Sequence, residues 1–369
     1  MGKELITDKE AICLLMLFTM GSTLILGVGS DAKNDAWLAV IAGLLMSLPV
    51  ILIYSRLLSI FPGKDLFEIL DMTLGRLLGK LVALIYIWYA FHLGALVLRN
   101  FGEFMVTMTM PETPIFVPML GLGLLCVFAV RLGIEEIGRI SAYLLPVLMI
   151  ILLIVLGLAI PQFELTNLKP VLGKGLGPVI NGGFSAFSFP FAESAILLGA
   201  FFCLKTKKSP FKVYTLAILF AGTLIMVLTI RNISLLGQLT SKLYFPSYVA
   251  VSRISVGDFI QRIEVTVSII FVVGAFAKSS ICLLVASRGI QRIFKLKDYR
   301  KVVIQLGSLM VLLSYIVYDT TMMMQYWAFK VYRYYAFPMQ VIFPVIIWII
   351  AEAKKNKSKP AGKKAPANE

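Results

Sequence analysis

Charge is what this chain has least of. Only 15% of its 369 residues are Asp, Glu, Lys or Arg, against 59% hydrophobic. Apolar runs of membrane-spanning length follow one another along most of the sequence, which excludes a soluble globular domain. The alternating segments of about ten residues that mark a transmembrane β-barrel are missing as well. Histidine occurs once, as His92, and cysteine four times, as Cys13, Cys126, Cys203 and Cys282. The cysteines lie far apart inside apolar runs and read as small core hydrophobes, not as a disulfide framework or a metal set. The start KELITDKE has mixed charge and no A-x-A site follows it, so no cleavable signal peptide is expected. Segments between the runs are too short for a catalytic domain. Paired catalytic Asp, a Ser–Lys or Ser–His set and HExxH spacing are all missing. An enzyme, a metal site and a cofactor are therefore not expected.

What remains is a single polytopic all-α integral membrane domain over residues 1–352. Ten transmembrane helices are expected, at 8–30, 35–60, 77–108, 114–131, 137–160, 179–204, 211–236, 258–293, 300–320 and 334–352. The formal net charge of +15 is not a nucleic-acid signal, because its distribution follows the spans. Placing both termini in the cytoplasm collects most of the 35 Lys and Arg residues on the inner side, which is the positive-inside pattern. That inner set includes Lys3, Lys9, Arg56, Lys64, Arg76, Lys80, Lys205, Lys207, Lys208 and Lys212, with the basic segment 288–301. The tail 353–369, within AEAKKNKSKPAGKKAPANE, is Lys-rich, expected to be disordered, and suited to anionic lipid headgroups.

Ten spans divide into two sets of five, and because five is odd the second set must be inverted. The 5+5 inverted repeats would cover about 8–160 and 179–352, an arrangement in which the first span of each half is broken at the substrate site. Span 1 contains MGSTLILGVGS, with Gly21, Ser22, Gly27, Gly29 and Ser30. Span 6 contains NGGFSAFSFPFAES, with Gly182, Gly183, Pro190 and Glu193. Glycine and proline at this density interrupt helical hydrogen bonding, although both are also common in ordinary membrane helices. A break in span 1 frees N–H groups near Gly21, Ser22 and Thr23 that suit a carboxylate. The backbone at 185–189 in span 6, with Ser185, Phe187 and Ser188, suits an amino group. Such a site prefers a small zwitterion, and Phe184, Phe187, Phe189 and Phe191 can shape its apolar side.

Ionisable groups inside the spans are expensive and point to function or to a partner. Glu193 has three readings: it shapes the break, accepts an amino group or exchanges protons. His92 is either a hydrogen-bonded bundle residue or a ligand or proton group. Arg99 and Glu103, four residues apart, read as an ion pair or a gate. Lys278 lies at least ten residues from its nearest charged neighbours, Glu264 and Arg288, which puts its backbone roughly 15–20 Å from either charge. Gly274 and Ala275 one turn before it, and Cys282 one turn after, let another backbone come close. From there its ammonium can serve the carbonyls freed by the break in span 1, with Glu193 as a further partner open to it.

The chain resembles the spore germination permease family, the B subunits of bacterial germinant receptors in the amino acid–polyamine–organocation superfamily with the LeuT-type fold. The resemblance covers about 5–352. It is carried by LGVGSDAKNDAWLA (26–39), FPGKDLFEIL (61–70), LGRLLGK (74–80), PETPIFVP (111–118), RLGIEEIGRISAYLLP (131–146), FPFAES (189–194), LYFPSYVAVSRI (243–254) and GAFAKSSICLLVASRGI (274–290). It implies a sensor of nutrient germinants, amino acids above all, in the spore inner membrane. The sensor works with a membrane A subunit and a lipoprotein C subunit. Relatives bind ligand at the breaks through a Gly-Ser-Gly-like turn, which here reads Gly21-Ser22-Thr23, so Thr23 narrows the space. Where sodium-using members hold their ion between spans 1 and 8, Lys278 resembles a built-in cation. A proton-coupled amino-acid permease is the alternative.

Overall fold

A computed structural model describes residues 4–204, 206–254 and 262–357, the side chains of 356 and 357 excepted. Lys3, Lys205, the first residues of the expected span 258–293 and most of the Lys-rich tail lie outside the described residues. Among the described residues, all regular structure is helical apart from one isolated bridge between Ile6 and Leu204. The helices are α1 Asp8–Met20, α2 Ala36–Ile60, α3 Leu66–Phe104, α4 Phe116–Leu132, α5 Ile134–Ala159, α6 Leu176–Ala186 and α7 Ser209–Leu236. They continue with α8 Pro246–Ser252, α9 Val265–Phe294, α10 Val303–Ile316, α11 Thr321–Tyr326, α12 Tyr332–Phe337 and α13 Phe343–Lys357. Capping boxes start α1 and α3. Thr7 and Asp65 accept the N–H groups of Glu10 and Glu68 at 3.2 and 2.9 Å, and each glutamate reaches back to its cap, which satisfies donors no helix can pair internally.

Six helical stretches are long and apolar enough to cross a membrane: Ser30–Ile60, Leu66–Thr109, Ile134–Gln162, Ser209–Ser241, Val265–Phe294 and Thr321–Lys355. The chain is a multi-pass integral membrane protein. Phe116–Leu132 and Val303–Ile316 are shorter apolar helices. Two boundaries differ from expectation for one physical reason, charge inside a helix. Span 3 was expected from 77, yet α3 starts at Leu66 and runs past the charged residues Asp71 and Arg76, with only a left-handed Gly75 (φ 79°) marking the change. The expected loop 321–333 is helical too, passing through a π turn at Trp327–Val331. Its charges Lys330 and Arg333 are paired with Asp31 at 2.9 and 3.5 Å, so they do not need a solvated loop.

The two segments marked by Gly and Pro are discontinuous. α1 stops at Met20, and the chain turns through 21–26 to a left-handed Gly29 (φ 69°) before a 3-10 turn at Ser30–Asp35. α6 stops at Ala186. A π turn Phe187–Phe191 follows, with Phe189 extended at φ −128° and ψ 109°, and then a 3-10 stretch, Ala192–Gly199. An eight-residue 3-10 run is longer than this geometry usually sustains,. It persists because side chains take up its carbonyls: Tyr54 donates to Ala192 O at 3.3 Å and Tyr214 to Ser194 O at 3.2 Å.

Packing puts α1 at the centre, against α5, α7 and α9, while α3 runs along α9 and α2 along α6 and α7. The α1–α9 contact is backbone on backbone. A Cβ on Gly21 would lie 2.7 Å from Gly274 O, and one on Gly274 would overlap Gly21 Cα. Gly274→Leu is therefore expected to destabilise by about 1–3 kcal/mol or more, read as a lower melting temperature of the purified protein in detergent. Gly121→Leu, where nothing lies within 4 Å of the added Cβ, should melt like wild type. Equal melting of both variants would mean that the glycine contact is dispensable.

Candidate functional site

The site is built where the two breaks face α9. Lys278, fully buried on α9, donates to Glu193 Oε2 in the 3-10 stretch, and Glu193 is fully buried as well. The ammonium lies 4.9 Å from the Phe189 ring centroid and 5.3 Å from that of Phe18 on α1, so both breaks supply a π face to the cation. Of the two partners open to it from the sequence, Lys278 thus takes the carboxylate of span 6 and not the carbonyls of span 1. Those carbonyls are already taken. The Thr23 hydroxyl folds back onto Thr19 O at 2.7 Å and Met20 O at 2.9 Å, a local bond that short hydroxyl side chains make readily.

Beside the pair is a cavity of about 40 Å³, walled by Ser22, Leu26, Phe189, Glu193, Trp327 and Tyr332 among others. It has room for about three waters. Three residues of this wall carry a buried polar atom outside hydrogen-bond distance of any partner: Ser22 Oγ, Trp327 Nε1 and Glu193 Oε1, the carboxylate having the Tyr332 hydroxyl as its next polar neighbour. Buried polar atoms are almost always hydrogen-bonded, and three orphans around one void call for an account. Among the described residues, the backbone bonds around the break run from Gly21, Leu24, Ile25 and Leu26, and none uses the N–H of Ser22 or Thr23. The void therefore has the Ser22 hydroxyl on its span 1 side and a carboxylate oxygen on its span 6 side.

Other sequence-marked residues support this wall from behind. Gly182 and Gly183 let α6 seat on α2: an added Cβ would sit 3.0 Å from Ala39 Cβ and 2.8 Å from Ala42 Cβ respectively. Ser185 accepts from Arg333 Nη1 at 3.0 Å, and Phe187 stacks on Phe184 with ring centroids 6.1 Å apart. Ser188 donates to Gln340 Oε1 at 3.0 Å, and Gln340 Nε2 returns a bond to Ser188 O at 2.9 Å. His92 stacks on Trp88, meets the edge of Trp327 and bonds Tyr335 through Nδ1 at 3.1 Å. It stands behind the wall, not in it. Arg99 and Glu103 form the i, i+4 pair at 3.5 Å, and Glu103 also accepts the Thr321 hydroxyl.

Sequence reasoning missed Trp327, Tyr332, Gln340 and Arg333. Gln340 was the visible one, a lone amide inside the apolar run 334–352. It anchors the break by bonding Tyr89 as well as Ser188. Arg333 reaches Asn181 Oδ1 at 2.8 Å and Asp31 Oδ2 at 3.5 Å. It fastens α12 to α6 and to the 3-10 turn after the first break.

Comparison with known proteins matches the family model described as spore germination protein over residues 5–325. The chain belongs to the spore germination protein family. Spore germination protein KB of Bacillus subtilis (strain 168) is 30% identical, over 99% of this chain and all of the relative. Spore germination protein A2 of the same organism is 27% identical, over 79% of each. In fold the chain is similar to MhsT in complex with L-phenylalanine, with a TM-score of 0.67 at 14% identity, covering 95% of this chain and 99% of that one. A Na+-coupled sialic acid symporter gives 0.67 at 13% identity, covering 93% and 79%. These likenesses show a LeuT-type transporter fold.

In this spore germination family member the buried pair makes a direct stability claim. Removing one partner strands a charge in the interior, which costs about 3–5 kcal/mol, whereas removing both is often tolerated. Lys278→Met and Glu193→Gln are each expected to lower the melting temperature sharply, and the double variant to recover most of the loss. A double variant that melts at or below the worse single one would show that the two side chains are not coupled.

Proposed function

We propose that the chain is the germinant-sensing B subunit of a spore germination receptor, and that its ligand is an amino acid with an apolar side chain. The observation that carries this is the trio of orphan polar atoms, Ser22 Oγ, Glu193 Oε1 and Trp327 Nε1, around one apolar void. An ammonium on Glu193 Oε1 and a carboxylate on the Ser22 hydroxyl, the Trp327 N–H and the free N–H groups of Ser22 and Thr23 would satisfy all of them. Leu26, Leu93, Leu96 and Phe189 would take the side chain. That MhsT holds L-phenylalanine supports an amino acid in a fold of this kind. Gly21, Gly182, Gly183, Ser185, Phe187, Ser188 and His92 then keep the two breaks in register.

The void is smaller than an amino acid, so ligand entry must part the walls. That movement is the signal in this reading, passed to a membrane A subunit and a lipoprotein C subunit in the spore inner membrane. Ten spans in inverted 5+5 repeats, a single domain over 1–352 and cytoplasmic termini complete it. Lys278 serves as the fixed cation, so sodium has no part.

A second reading, a proton-coupled amino-acid permease, is favoured by the fold shared with transporters. One set of measurements separates them. Trp327 fluorescence of the purified Trp37→Phe/Trp88→Phe/Trp348→Phe variant, which keeps Trp327 alone of the four tryptophans, titrated with a panel of amino acids and sugars, is expected to respond to apolar amino acids, with or without sodium. Glu193→Gln should weaken that response at least about tenfold, since a charge-assisted bond to the ligand's ammonium contributes about 1.5–3 kcal/mol. The chain alone in vesicles should accumulate little amino acid. Saturable uptake driven by a pH gradient would establish the permease, and a response to sugars alone would remove the zwitterion.

A further inference from the structure

At the other end of α9, away from the ligand void, a groove of about 640 Å³ is lined by Asp65, Glu68, Asp71, Arg76 and Lys80 at the start of α3 and by Arg288, Arg292 and Lys295 at the end of α9. Its acids are all engaged. Asp65 holds Arg288 at 2.9 Å, Glu68 holds Lys64 at 3.0 Å, and Asp71 holds Arg292 at 2.9 Å. Among the described residues, Arg76, Lys80 and Lys295 enter no ion pair. Three like charges therefore face one groove with no counter-charge left for them, an arrangement that repels unless an anion sits between them.

The backbone holds the three cations where they are. The left-handed Gly75 turns the chain so that Gly79 packs back on Leu70, where an added Cβ would lie 2.9 Å from Leu70 O. Arg76 and Lys80 lie on that turn. Lys354 of α13 fixes the preceding segment by donating to Met72 O at 2.9 Å and Thr73 O at 3.0 Å. Lys295 is the left-handed cap of α9 at φ 52°. Large apolar side chains flank the same residues, with Leu77 76% and Phe294 68% exposed. A cationic groove with an exposed apolar border matches an anion that carries hydrocarbon.

We infer that this groove binds the phosphate of an anionic phospholipid headgroup, with the acyl chains lying along Leu77, Leu78 and Phe294. Arginine can hold two phosphate oxygens at once, and the lysines add point charge. This inference does not rest on the amino-acid reading, since none of its residues lines the ligand void. Bound there, the lipid would bridge the inner end of α3 to the end of α9, the helix that carries Lys278.

The test uses the purified full chain and fluorescent phosphatidylglycerol, followed by polarisation in detergent. Unlabelled phosphatidylglycerol is expected to displace the probe, while phosphatidylcholine and inorganic phosphate are not. The variant Arg76→Gln/Lys80→Gln/Lys295→Gln should bind the probe far more weakly, by about fivefold for each cation removed. The variant Lys207→Gln/Lys208→Gln/Lys301→Gln, which loses the same charge outside the groove, should bind as wild type does. Displacement by inorganic phosphate at equal concentration would overturn the lipid source. Equal weakening of both triple variants would overturn the site itself and leave only the general attraction of a basic surface.

Discussion

An ammonium and a carboxylate, both sealed from solvent, set the terms for everything around them. Neither Lys278 nor Glu193 has any exposed surface, and each alone would be prohibitive in such an interior. Together they are tolerable only if held in contact, and that requirement reaches into the backbone. Glu193 must approach α9 from a segment that is not α-helical. Phe18 and Phe189 must present ring faces to the cation. Gly274, one turn before Lys278, must remain a glycine so that α1 can lie against α9. The pair is thus the point at which the two broken spans and α9 are made to agree.

Breaking a helix inside a membrane protein releases backbone groups that no water can satisfy. The chain resolves this differently at its two breaks. In span 1 the carbonyls of Thr19 and Met20 are closed locally by Thr23, and the N–H groups of Ser22 and Thr23 are left without a backbone partner. In span 6 the carbonyls are closed from a distance, by Tyr54, Tyr214 and Gln340. The result is polarity with direction. The Ser22 hydroxyl remains on one side of the void, and a single carboxylate oxygen on the other.

The breaks themselves were legible in the sequence, because Gly29 and Pro190 act through local backbone geometry, which a sequence displays directly, whereas Gly21, Gly182 and Gly183 serve close approach between elements and not the breaks themselves. Lys278 and Glu193 were legible as anomalies, since charge in an apolar run is visible without a fold. Their pairing was one of two readings, beside the carbonyls freed in span 1. The two residues are 85 positions apart, and nothing local says which buried acceptor a lysine will find. Trp327 and Tyr332 were hidden for the opposite reason. Lys330 and Arg333 made their segment look like a solvated loop, and only the fold brings Asp31 to those cations. Thr23 shows a third kind of limit. Its identity suggested bulk in the ligand path, yet its hydroxyl is turned back into α1.

The size of the void completes the physical picture. A cavity of about 40 Å³ that still leaves three polar side-chain atoms unpaired is neither a filled core nor an open pocket. A filled core would have consumed those atoms, and a wider pocket would have exposed them to solvent. The segments that carry these walls are fastened beyond the void by Asp31, Lys330, Arg333 and Asn181, polar contacts that can exchange for water when they part. The apolar contacts beneath them cannot be exchanged so cheaply. Separation of these walls is therefore least costly at those polar contacts while the buried Lys278–Glu193 contact stays closed. That asymmetry favours a hinge at the breaks over a general loosening of the bundle.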